Sequence, residues 1–128
     1  CVIIVDNEDG TKEVKKTCIN SATSFNNKKI RTIEGHAKKD KNENLVKLNP
    51  VQEAFIEQFS FQCGWCTSGF VNEATLLMEK LKTNPIKKTD VEKVIGDALG
   101  SHICRCTGYA KYYEGMKKLI LSTDGLTR

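Results

Sequence analysis

No apolar run in this sequence approaches the roughly 18 residues that a membrane-spanning helix needs, so membrane insertion is not expected. Charge of a single sign is missing too. Lysine and arginine number 20 against 16 acidic residues, a formal net charge of +4, which is too mixed to argue for a nucleic-acid partner. The densest basic stretch, Lys38 to Lys47, contains Asp40 and Glu43 and reads as a solvated segment, not a phosphate-binding patch. There are no internal repeats. Proline is scarce, at two residues, and each sits at an expected helix boundary. No secretory signal is visible. The first residue is Cys1 and not methionine, so the expectation is that an N-terminal portion was processed away or lies outside this sequence.

What the chain does have is enough apolar material for a core, 39% of 128 residues, and six cysteines. A chain of this length folds without covalent staples. Residues 1–36 have β character. Val2-Ile3-Ile4-Val5 is a short apolar run, Asn7-Glu8-Asp9-Gly10 is turn chemistry, and Val14 to Cys18 suits the returning strand of a hairpin. Ile30-Arg31-Thr32-Ile33 is β-branched at three of four positions and suits a further strand. This is too little sheet for an independent domain. Residues 37–45 are polar, lack periodicity and read as a linker.

Residues 46–128 read as four helices. Asn49 followed by Pro50, with Gln52, forms an N-terminal capping box for the first. The second starts near Thr67, carries Phe70, Ala74, Leu77, Met78 and Leu81 on one face, and stops before Pro85. Thr89 with Glu92 is a capping box for the third, whose stripe is Val91, Val94, Ile95, Ala98 and Leu99. The fourth runs from about Tyr109, with Tyr112, Met116, Leu119 and Ile120 on one side. One apolar stripe per helix predicts mutual packing as a small bundle.

Cys63-Gly64-Trp65-Cys66 falls between the first and second helices, and Cys104-Arg105-Cys106 between the third and fourth. In an antiparallel bundle these two turns share one end, so four thiolates can converge. Thiolates suit an iron–sulfur cluster or a zinc ion. Zinc knuckles use C-x2–4-C spacing, for which a C-x-C pair is awkward. Disulfides are the third reading, in a chain that does not need them. Spacing favours the cluster and leaves the other two open. Gly64 and Gly108 let the backbone approach the sulfurs, where amide hydrogen bonds tune a cluster.

Gln62-Cys-Gly-Trp-Cys-Thr-Ser-Gly69 resembles the Q-C-G-[FY]-C-T-P-G signature of the iron–sulfur subunit of molybdenum hydroxylases, the xanthine dehydrogenase, aldehyde oxidoreductase and CO dehydrogenase small-chain family. Cys104-Arg-Cys-Thr-Gly-Tyr109 matches that family's second signature without change. Cys1, Val2 to Val5 and Cys18 resemble the end of the family's ferredoxin-like domain, and Thr32-Ile33-Glu34-Gly35 its closing strand.

The resemblance implies an α+β chain: a C-terminal four-helix bundle binding [2Fe-2S] at 46–128, preceded by a linker at 37–45 and a β remnant of a ferredoxin-like (β-grasp) domain at 1–36. It implies that Cys63, Cys66, Cys104 and Cys106 hold one [2Fe-2S] cluster, and that Gln62 and Cys106 face a molybdopterin cofactor. Cys1 and Cys18 are half of a second [2Fe-2S] site, which needs an upstream segment to complete it. The implied role is electron transfer from a molybdenum site toward FAD in a cytoplasmic oxidoreductase. The partners would be a molybdopterin-binding large subunit and an FAD-binding subunit, with no substrate chemistry on this chain. A zinc-stabilised interaction module and a cluster-based sensor or assembly protein are the alternatives.

Departures from the family pattern are local. Ser68 stands for proline, Trp65 for Phe or Tyr, and Ser101-His102 for Gly-Asn. His102 is expected behind the ligands or at the surface, and His36 has no expected role.

Overall fold

The computed structural model describes residues 1–128 and is mixed α+β. Three strands, β1 (Val2–Asp6), β2 (Lys12–Lys16) and β3 (Lys29–Arg31), form an antiparallel sheet in the order β2-β1-β3. The Asn7–Gly10 turn joins β1 to β2 as its sequence indicates, with Gly10 at φ +83°. Ile3, Ile4 and Val5 of the central strand are all buried, so β1 is covered on both faces.

The expected strand at Ile30–Ile33 is shorter than its composition suggests. β3 ends at Arg31, and Ile33–Gly35 is a 3-10 turn, from which Ile33 packs against the helical core. The segment read as a linker, 37–45, holds β4 (Lys38–Lys39) and runs into β5 (Leu45–Lys47), with which β4 pairs as a small hairpin. Its reversal is tied by Asp40, whose carboxylate accepts from the Asn42 and Asn44 amides at 2.8 and 2.9 Å.

Four helices follow: α1 (Pro50–Glu57), α2 (Thr67–Thr83), α3 (Val91–Leu99) and α4 (Ala110–Ser122). The Asn49–Gln52 capping box forms, with reciprocal bonds of 2.8 and 3.0 Å. The Thr89–Glu92 box does not. Asp90 is the residue before α3 and makes no side-chain cap. The Thr89 hydroxyl donates to Asp90, and Glu92 pairs instead with Lys117 of α4.

The predicted stripes meet in one core. Phe55, Phe70, Leu81, Ile95, Leu99, Tyr112, Met116 and Ile120 belong to it, and so do Cys104 and Leu126. The last residues fold back to reach it: the Ile86 amide donates to Leu126 and the Arg128 amide to Ile86. α2 lies against β1 and against each of the other helices, so it is the element shared by both halves. No helix is long and apolar enough to cross a membrane.

Candidate metal centre

Two loops build the site. α1 ends with Phe59 in the left-handed region at φ +49°, and the Ser60 amide donates to the Phe55 carbonyl at 2.9 Å. This 6→1 closure turns the chain out of α1 toward Cys63. Gly64, at φ +84°, completes the reversal, and Cys66 is the residue that opens α2. Its side chain makes no cap hydrogen bond to the first turn of the helix. On the other loop, Gly108 and Tyr109 both take φ +57° before α4 begins. Only the first is a residue type that adopts this conformation freely.

These turns bring the four cysteines together as two pairs. Cys63 Sγ and Cys106 Sγ are 3.5 Å apart, and both residues are exposed. Cys66 is half-buried and Cys104 is buried, and each lies close enough to influence the ionisation of the other. No three His, Cys, Asp or Glu side chains gather around one point as a single ion would need. Four thiols on two loops are the donor set of a [2Fe-2S] cluster or of a tetrahedral zinc ion. All six cysteines are free of disulfides.

The inner pair has its own hydrogen-bond partners. Thr107 gives Cys104 a hydroxyl contact at 2.9 Å and an amide contact at 3.5 Å, and its oxygen accepts from the Tyr109 amide at 3.2 Å. Burial opposes the Cys104 thiolate, but the Thr107 hydrogen bonds outweigh it and bring the thiol down to about 7. Cys66 goes the other way, because burial pushes its thiol up. The Tyr112 hydroxyl is 3.6 Å from Cys66 Sγ and 2.7 Å from Thr67 Oγ1. Burial raises the Tyr112 phenol as well.

His102 is enclosed, contrary to a surface placement. Its Nε2 lies 2.5 Å from Glu73 Oε2, and both atoms are buried without a hydrogen-bond partner. The ring packs on Phe70 at 4.6 Å between centroids. His36, for which the sequence suggested nothing, contacts Asn72 Oδ1 at 2.6 Å, and Asn72 donates to the Val2 carbonyl at 2.7 Å. The chain thus joins β1, the Ile33–Gly35 turn and α2 through one buried amide. Only long-range pairing reveals it.

Gln62 is exposed beside Cys63. Cys1 and Cys18 flank β1 and β2, and the register that pairs Val2 with Lys16 brings their sulfurs to 3.0 Å. Exposed apolar side chains occur on the same two connections as the cysteines. Trp65 is 91% exposed, Ile103 85% and Phe59 82%.

Residues 32–117 match the family described as [2Fe-2S] binding domain. The chain belongs to the [2Fe-2S]-binding domain family. It is 34% identical over 109 residues to the xanthine dehydrogenase iron-sulfur-binding subunit of Escherichia coli O157:H7, covering 85% of this chain and 59% of that protein. It is 34% identical over 116 residues to the nicotine 6-hydroxylase small subunit of Paenarthrobacter nicotinovorans, covering 91% and 59%. The structure of quinoline 2-oxidoreductase from Pseudomonas putida 86 superposes with a TM-score of 0.69 at 26% identity, over 91% of this chain and 62% of that one. The [2Fe-2S]-binding chain therefore spans 59% of the length of the two curated relatives described.

Proposed function

We propose that this [2Fe-2S]-binding chain is the electron-transfer part of a molybdenum hydroxylase-type oxidoreductase, with Cys63, Cys66, Cys104 and Cys106 holding its cluster. One observation carries the reading. Two loops distant in sequence present four thiols as two pairs, Cys63 with Cys106 and Cys66 with Cys104, in a chain of this family. The relatives named as subunits of a xanthine dehydrogenase and a nicotine hydroxylase support the enzyme class.

A bound cluster supplies one-electron transfer. The chain's own residues do the rest. Cys66 and Cys104 anchor the inner side in the helical core, away from water, while Cys63 and Cys106 bring the outer side to the surface. That exposure provides the short edge an electron needs to leave or enter. Phe59, Trp65 and Ile103, on the same two connections, are apolar surface that water does not favour, and they suit docking of a molybdopterin-binding large subunit. In this reading Gln62 and Cys106 face the pterin, and an FAD-binding subunit receives the electrons.

The same reading divides the chain into a β part of a ferredoxin-like, β-grasp domain at 1–36, a connection at 37–45, and a four-helix bundle at 46–128. Cys1 and Cys18, 3.0 Å apart, are half of a second cluster site in it. Iron and sulfide analysis with visible spectroscopy tests the assignment. The expected result is about two irons per chain with sulfide-to-iron charge-transfer bands. Serine at any of Cys63, Cys66, Cys104 or Cys106 should remove them, and serine at Cys1 or Cys18 should leave them. Bound zinc without visible bands overturns it.

A further inference from the structure

Tyr112 is held more firmly than core packing requires. Its side chain is fully buried, stacked on Phe70 with centroids 4.0 Å apart and planes 6° from parallel, and met edge-on by Phe55 at 5.0 Å. The ring cannot swing its hydroxyl elsewhere without breaking both contacts. That hydroxyl sits between Thr67 Oγ1 at 2.7 Å and Cys66 Sγ at 3.6 Å.

The direction of donation follows from the chemistry. Two hydroxyl protons are available, and the acceptors are a hydroxyl oxygen and a metal-bound thiolate. A phenol is a better donor than an aliphatic alcohol, and an ionised acceptor takes the stronger bond. Thr67 therefore donates to Tyr112, and Tyr112 donates to Cys66. We propose that Tyr112 is a positioning residue that sets the cluster's reduction potential: its buried hydroxyl, oriented by Thr67, donates to the Cys66 thiolate and makes the cluster easier to reduce.

Reduction adds negative charge that the ligand sulfurs share. A fixed donor stabilises that charge more than it stabilises the oxidised cluster, and enclosure away from water strengthens the effect. Phenylalanine would fill the same space without the donor, so packing alone does not account for the hydroxyl. The inner thiolates are also matched: Thr107 serves Cys104 as Tyr112 serves Cys66.

The inference rests on Cys66 being a ligand, as proposed above. The experiment uses the purified holo-protein, with iron content, midpoint potential by EPR-monitored titration, and Fe–S stretching frequencies in H2O and D2O. Tyr112→Phe should keep its iron, show a lower midpoint potential, and lose part of the solvent-isotope shift in the Fe–S modes. Thr67→Val should shift the potential in the same direction by less. A fully loaded Tyr112→Phe protein with unchanged potential and frequencies overturns the inference while leaving the ligand assignment intact. If Tyr112→Phe fails to load iron, an unmoved potential in Thr67→Val overturns it. A Cys66→Ser protein with an unaltered cluster overturns both the inference and the ligand assignment.

Discussion

Gly69 is where a missing methyl group shapes the site. A Cβ there would lie 2.8 Å from His102 Cε1 and 3.0 Å from Nδ1. The imidazole has little room to step aside, because Glu73 Oε2 lies 2.5 Å from its Nε2 and Phe70 lies against its face. Gly69→Ala must displace either the ring or the start of α2, and overpacking of this kind costs about 1–3 kcal/mol. The expected result is a lower urea midpoint for Gly69→Ala. In a His102→Ala background the same change should cost much less, because the two residues share one space. Equal losses in both backgrounds would place the strain elsewhere. The sequence shows Gly69 as part of a motif, but its steric reason lies on another loop. It also lists His102 without showing that Glu73 faces it. A glycine's clash partner and a histidine's burial are tertiary facts.

Among the elements, the helices were legible and the short strands less so. α2 runs from Thr67 and ends before Pro85, as its stripe and proline indicate, because an amphipathic period and a breaker act locally. The two capping boxes show where local reasoning stops. Asn49 and Gln52 have no competing partners stronger than each other, and their box forms. Glu92 has Lys117 of α4 within reach, and its carboxylate goes there. The hairpin of β4 and β5 leaves no sequence signal for a related reason: its strands of two and three residues carry no period, and only the Asp40-centred turn registers them. The four cysteines proposed as ligands fall on the α1–α2 and α3–α4 connections, and that placement needs only the order of helices and loops. Asn49 also donates to Thr75 of α2 at 3.0 Å, so it fixes both the start of α1 and its seat. Asn49→Ala should cost about 1 kcal/mol for the cap, plus the loss of that cross-helix bond. Asn49→Asp, which keeps the accepting oxygen but not the donor, should recover the cap portion. Denaturation midpoints of the two variants measure the split.

At the scale of the whole molecule, one guanidinium fastens the sheet to the helices. Arg31 of β3 holds Asp6 of β1 through Nε and Nη2 at 2.8 and 3.0 Å, and Glu79 of α2 through Nη1 and Nη2 at 2.6 and 3.1 Å. Lys12 of β2 adds a bond to the same Glu79 at 2.7 Å. β2 and β3 thus bond directly to a single carboxylate of α2, and β1 is tied to it through Arg31. Paired forks of this kind are geometrically specific, and they are partly shielded from solvent. Burial pushes the Glu79 carboxyl up, but Arg31 and Lys12 more than offset it and hold the group at about 2, below its ordinary 4.5. A carboxyl depressed by folding stabilises the native state fully above its unfolded value, and that stabilisation is lost as the pH falls through its folded value. The contribution of Glu79 should therefore be complete above 4.5 and fade toward 2. Glu79→Gln keeps the size and one accepting oxygen but removes the titrating charge. Its urea midpoint should lie well below that of the unaltered chain near neutral pH, and the gap should close as the pH drops through that window. The gap carries the signal, so acid loss of iron from both proteins cancels. The absence of a gap near neutral pH would mean that the sheet is held on α2 by the apolar contacts of β1, with the bonds to Glu79 contributing nothing measurable.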